Sequence, residues 1–238
     1  MMFRQTGVRT AALYRGSKFD LGQRPAAPHA EMRTELMREL TSPMSPECVV
    51  DEIDRARAQE YALLAALLSH SPDARMIGQL KLLKGDETPL GRAHASLGKA
   101  AGRTSEESAA REYFDLFIGL GQGLLLPYAS HYLTGSLYGR PLARLREAFG
   151  HLGIEGTRPS EPEDHVAILC EIMAGLIVGS IAARPGAARE FFETYLAPWV
   201  SRFFVDLEHT KSADFYAGVG LLGRTFIDIE REAYSLSA

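Results

Sequence analysis

Residues 160–183, SEPEDHVAILCEIMAGLIVGSIAA, carry the strongest structural signal in the chain. Ser160 stands where a helix N-cap belongs, and Glu163 three residues later can return a bond to the cap, the pattern of a capping box. Pro162 suits a first turn, because its missing N–H has no helical partner there. Glu161, Glu163 and Asp164 put negative charge at the positive end of the helix dipole. The pattern predicts a long helix from residue 160 to about 183. His165 shares a stripe with Ile168 and Ile172, three and seven residues on, and a lone histidine on an apolar stripe most often sits hydrogen-bonded in or beside the core.

The same helical pattern runs through the rest of the chain. Ile53, Ala56, Glu60, Leu63, Leu64, Leu67 and Leu68 recur at i, i+3, i+4 and i+7, predicting a helix over 47–69. Further helices are expected near 71–83, 89–101, 104–118, 129–137, 141–150, 187–196, 198–208 and 211–235. Caps such as Thr104, stops such as Gly102 and the Pro185-Gly186 break delimit them. Composition agrees: 31 Ala and 30 Leu stand against 8 Val and 10 Ile, which excludes an all-β chain. No repeat recurs at a fixed period. The expectation is one all-α globular domain of about nine helices over 47–238. It follows a flexible extension, residues 1–46, with seven basic and four acidic residues.

Several function classes drop out. The 238-residue chain carries a net charge of -4, so no basic footprint argues for nucleic acid. Cys48 and Cys170 lie too far apart for a redox or metal motif. The start has no apolar core of a signal sequence, and no stretch reaches the ~20 apolar residues of a membrane span. A soluble cytoplasmic protein, not membrane-embedded, is expected. Seven histidines occur without His-Glu-x-x-His or a Glu-x-x-His pair. His165 with Glu161 and Asp164 offers ligands from one turn only, and Gly-x-Ser-x-Gly is missing. No enzyme activity, metal or cofactor is therefore expected. An all-helical small-ligand, haem or metal-binding protein is the alternative.

Three motifs remain. Tyr113-Phe114-Asp115-Leu116-Phe117-Ile118-Gly119 is an aromatic helical stripe with positions 113, 116, 117 and 120 on one face, which favours core packing. Gly119, Gly121 and Gly123 follow. No strand precedes them and no Gly-Lys-Ser/Thr follows, so they read as helix termination and a tightly packed loop rather than a phosphate cradle. Pro127-Tyr128-Ala129-Ser130-His131-Tyr132 re-enters helix with Tyr128 and Tyr132 on one face. The third motif is Glu161-Pro162-x-Asp164-His165.

Together these motifs resemble the TorD/DmsD/NarJ family. The resemblance rests on Tyr113, Leu116, Phe117 and Gly119; on Pro127, Tyr128, Ser130 and Tyr132; and on Glu161, Pro162, Asp164 and His165. It covers roughly residues 50–235. This chain has Gly119-Leu120 where many members have Gly-Pro, and Ala129 where an acid is common. The resemblance implies an all-helical cytoplasmic chaperone, not a catalyst. Such a chaperone binds a molybdoenzyme apoprotein, often through its twin-arginine signal peptide, and holds it until the molybdenum cofactor is inserted before export. The implied client is an S- or N-oxide reductase, a nitrate reductase or a formate dehydrogenase of anaerobic respiration. The implied assembly is a monomer or a domain-swapped homodimer. A twin-arginine signal presents two guanidinium groups and then an apolar run, so its receptor needs acceptor oxygens beside an apolar groove. Glu161, Glu163 and Asp164 can supply the first, and Tyr113, Phe117, Tyr128 and Tyr132 the second. All twelve motif residues except the loop glycine Gly119 are candidate contacts.

Overall fold

The computed structural model describes residues 4–5, 51–121, 123–155 and 161–236, with the backbone alone for Arg4, Gln5 and Glu155. The rest of the 1–46 extension and the Ser160 cap lie outside the described residues. Ten helices follow in order: α1 Glu52–Ser69, α2 Ala74–Leu80, α3 Pro89–Arg103, α4 Glu106–Tyr113, α5 Ala129–Thr134, α6 Arg140–His151, α7 Val166–Ile177, α8 Ala187–Phe191, α9 Val200–His209 and α10 Phe215–Leu236. Helices α4 and α8 each widen into a π-turn, Phe114–Ile118 and Phe192–Leu196. The chain is all-α. Its one strand pairing among the described residues is a two-residue antiparallel ladder of β1, Arg4–Gln5, with β2, Ile154–Glu155.

Local sequence explains where the helices start. Asp51, Asp73, Thr88 and Ser105 each turn a side-chain oxygen to a free N–H of the first turn of α1 to α4. Glu112 does this from a distance. Its carboxylate accepts from Asp214 N at 2.9 Å, Phe215 N at 3.2 Å and Tyr216 N at 2.7 Å, so α4 caps α10.

Helix α7 is apolar nearly all round and forms the centre of the core; α1 lies along it, while α10 packs between α9 and α3. Residue size sets how close α9 and α10 come. A Cβ on Gly220 would sit 2.5 Å from Glu208 N, and one on Gly223 would run into the Phe204 ring. Tyr61, Leu64, Leu67, Leu97, Phe203, Phe204, Phe215 and Leu222 are fully buried. Each such aliphatic or aromatic side chain contributes about 1.5–3 kcal/mol.

One polar clamp crosses this core. Glu230 on α10, 1% exposed, accepts from Arg57 Nε at 2.7 Å, Arg57 Nη2 at 2.9 Å and Tyr61 Oη at 3.1 Å, both partners on α1. Arg57 also donates to Asp54 at 2.7 Å and to Tyr234 Oη at 2.7 Å. The carboxylates hold the guanidinium charged against the burial that opposes it.

Several expectations change. The long helix over 160–183 is the shorter α7, which starts at Val166, because the backbone of 164–166 is taken by pairing with 127–129. Glu163, ahead of that start, pairs with Arg146 at 3.0 and 2.8 Å. Leu120 leaves the aromatic stripe, because Gly119 at φ 61 ends the helix at Ile118 and leaves Leu120 99% exposed.

Candidate functional site

The centre of the site is a meeting of two chain segments. Ala129 N donates to Asp164 O at 3.0 Å and Val166 N to Pro127 O at 2.8 Å, so Tyr128 and His165 face each other across an antiparallel bridge. Each segment ends the other's problem of unpaired backbone. Helix α5 begins at Ala129, and its N-cap residue Tyr128 makes no side-chain capping bond. The Asp164 carboxylate supplies one, with Oδ2 accepting Ser130 N at 2.7 Å. His165 is the N-cap of α7, its Nδ1 accepting Ala167 N at 3.1 Å, which leaves the proton of the neutral ring on Nε2.

Above this bridge lies Tyr128. Its ring meets the His165 ring edge-on, with centroids 5.1 Å apart, and its hydroxyl donates to Glu161 Oε1 at 2.5 Å. Burial first, and then the Glu161 carboxylate beside it, push the Tyr128 phenol well above its ordinary range. Tyr128 is thus a permanent donor. The Ser130 hydroxyl accepts Tyr138 N at 3.0 Å, which ties the turn after α5 to the same knot.

The charges are unevenly satisfied. Arg146 takes Glu163, and among the described residues no arginine or lysine stands at ion-pair distance from Glu161 or Asp164. Asp164 is 1% exposed, and its Oδ1 is buried with no hydrogen-bond partner. Glu161 and Pro162 are half-buried at the surface of the turn.

The structure brings Pro127, Tyr128, Ser130, Glu161, Pro162, Asp164 and His165 into one knot; the remaining candidates sit around it. Tyr113 meets Tyr216 at a tilt and Phe117 meets it edge-on, with centroids 5.8 and 5.4 Å away, beside buried Leu116. Tyr113 Oη donates to Leu68 O at 3.3 Å and Tyr216 Oη to Leu67 O at 3.1 Å, so both tyrosines finish the last turn of α1. The loop after the π-turn folds back on it, Leu125 N donating to Leu116 O at 2.8 Å. This needs Gly123, where a Cβ would lie 2.5 Å from the Phe117 carbonyl carbon. Phe114, Ile118, Leu120 and Leu124 remain exposed along this loop. Tyr132 does not share a face with Tyr128, because Tyr128 precedes α5 as its cap. Tyr132 turns to α9, donating to Asp206 Oδ2 at 2.9 Å and packing 5.6 Å from Trp199.

Sequence reasoning missed Arg146, whose pairing leaves Glu163 the occupied acid of the turn, and the capping role of Glu112. Only tertiary packing assigns either. Among the described residues, no group of three His, Cys, Asp or Glu side chains is placed to hold a metal ion, and no helix is long and apolar enough to cross a membrane.

The chain is similar to several known proteins. The chain is 26% identical over 216 residues to the chaperone protein TorD of Aliivibrio fischeri, covering 84% of this chain and 93% of the relative. It is 28% identical over 120 residues to the Tat proofreading chaperone DmsD of Haemophilus influenzae, covering 49% of this chain and 57% of the relative. A crystal structure described as a redox enzyme maturation protein from Archaeoglobus fulgidus shares the fold at a TM-score of 0.50 and 21% identity, over 72% of this chain and 93% of that one. The family described as the nitrate reductase delta subunit matches residues 83–205, just over half the chain. The chain belongs to that family, the TorD/NarJ family of molybdoenzyme maturation chaperones.

Proposed function

We propose that this protein binds the twin-arginine signal peptide of a molybdoenzyme apoprotein in the cytoplasm and holds the apoenzyme until its cofactor is inserted. The client is an S- or N-oxide reductase, a nitrate reductase or a formate dehydrogenase, and the protein acts by binding rather than by catalysis. The observation that carries this reading is the unpaired acidity of the 161–164 turn. Glu161 stands at the surface without a cationic partner among the described residues, and a carboxylate of this kind suits a guanidinium. The exposed loop residues Ile118, Leu120 and Leu124 supply apolar surface for the run that follows the arginines. The relative named a Tat proofreading chaperone points the same way.

The roles divide by burial. Glu161 and Pro162 meet the client, and Tyr128 orients the Glu161 carboxylate. Asp164, Ser130 and His165 hold the two segments in register beneath them. Tyr113, Leu116, Phe117 and Pro127 shape the floor, and Tyr132 fixes α5 against α9.

Calorimetry with a synthetic 20-residue peptide, two adjacent arginines followed by a leucine-alanine run, tests the reading. Binding is expected at micromolar affinity or better, about -8 kcal/mol. Replacing both arginines with glutamine should weaken it at least tenfold. Equal affinity for the two peptides overturns arginine recognition, and Glu161→Gln binding as tightly as wild type moves the cation site elsewhere.

A further inference from the structure

Tyr138 is the one non-glycine residue with positive φ among the described residues, at φ 69. It lies in the turn between α5 and α6, beside Gly135 at φ 76 and Gly139 at φ 77. Those two glycines adopt this region freely, whereas a tyrosine Cβ crowds the neighbouring carbonyl there. A third glycine would relax the turn, and yet the position holds an aromatic ring.

The ring does little for the fold. It is 57% exposed, stacks on no other aromatic, and its hydroxyl has no partner among the described residues. The backbone is what the protein holds. Tyr138 N donates to Ser130 Oγ at 3.0 Å, and Ser130 N donates in turn to the buried Asp164 Oδ2 at 2.7 Å. Two residues before Ser130, the Tyr128 hydroxyl positions Glu161 at 2.5 Å. Glu161 and Tyr138 are therefore wired to the same three residues, 128–130. Strain kept at a residue whose exposed ring stacks on nothing among the described residues marks a site whose presentation matters.

We propose that Tyr138 is a specificity-determining anchor of the client site. Its ring, held out by the Ser130 bond in a left-handed conformation, packs on the apolar residues that follow the arginine pair of a bound signal peptide. This rests on the signal-peptide reading above and adds a residue to it. Exposed, rigidly presented tyrosine suits the task, because its flat amphipathic ring covers large area while losing little side-chain freedom.

The test uses the full chain, the 20-residue arginine–leucine/alanine peptide, and a second peptide whose apolar run is replaced by serine. Tyr138→Gly accepts the same φ without strain, so it should melt at or near the wild-type temperature. Its affinity for the first peptide should fall about tenfold, the effect of removing an aromatic anchor. Tyr138→Phe should bind like wild type. The serine peptide should bind wild type and Tyr138→Gly equally weakly.

Unchanged affinity in Tyr138→Gly overturns the proposal while leaving the signal-peptide reading intact. Tyr138→Gly melting several degrees low shows the ring to be structural and also overturns it. A tenfold penalty that persists with the serine peptide rejects the apolar run as the contact. Wild type that binds neither peptide overturns the signal-peptide reading, and this proposal with it.

Discussion

Replacing Asp164 with asparagine tests how the site is built. The carboxylate accepts Ser130 N through Oδ2 at 2.7 Å, and its Oδ1 is buried without a partner. Asparagine keeps the shape and one acceptor oxygen but not the charge. A charge-assisted bond contributes about 1.5–3 kcal/mol against about 0.5–1.5 for a neutral one, so the cap weakens by about 1 kcal/mol. The new amide NH2 falls where Oδ1 lies, and leaving it without an acceptor adds up to about 1 kcal/mol. The sum of about 1–2 kcal/mol corresponds to a melting temperature lower by about 2–8 °C for a domain of this size. Alanine leaves Ser130 N buried and unpaired and should cost more than asparagine. Thermal melts and urea titrations with an unchanged m-value measure both variants. An asparagine variant that melts within about 1 °C of wild type refutes the cap as a stability element. Loss of peptide binding without loss of stability would instead put the Asp164 carboxylate in direct contact with the client.

Three other perturbations have calculable outcomes. His94 Nε2 sits 2.7 Å from Glu60 Oε1, and this bond raises the His94 pKa. The tie between α1 and α3 is therefore fully present below the unfolded value of about 6.5 and is lost as pH rises through the higher folded value. Urea midpoints should fall across that window in wild type and fall less in His94→Gln; equal slopes would falsify the pairing. Arg57→Leu strands the Glu230 carboxylate in the core and should cost about 3 kcal/mol or more, whereas adding Glu230→Leu should recover much of it, as equilibrium unfolding of both variants will read. Gly123→Ala forces a Cβ to within 2.5 Å of the Phe117 backbone, so it should lower stability by about 1–3 kcal/mol and loosen the apolar loop, seen as faster amide exchange at Leu125.

Helix content was legible because it is locally encoded. Asp73, Thr88 and Ser105 cap helices within a few residues of the starts the sequence predicts, and the stripe of the first helix buries Leu64, Leu67 and Leu68 but leaves Ile53 and Ala56 exposed. Reading failed where a distant segment outbid the local signal. Ser160 to His165 has every local mark of a helix start, but the backbone of 164–166 bonds to 127–129, 35 or so residues away, and the helix waits until Val166. The aromatic stripe failed for a smaller reason. Gly119 reads as the end of the helix at 118, so position 120 already lies past the helical face, and the positive φ of Gly119 sends Leu120 into solvent.

The same competition separates two kinds of motif residue that the sequence cannot tell apart. Asp164 and Glu161 lie three positions apart in one acidic turn, both of a type that binds arginine. Burial sorts them. Asp164 spends its charge on the N–H of Ser130, which fixes α5, the register of 127–129 against 164–166, and through the Ser130 hydroxyl the backbone of Tyr138. Glu161 is held from one side by the Tyr128 hydroxyl, whose raised pKa keeps it a donor at any physiological pH, and its position at the surface leaves it open to an incoming cation. On the proposed reading, the buried carboxylate sets the geometry that the surface carboxylate uses. A change at Asp164 should therefore move stability first, while a change at Glu161 should move binding alone.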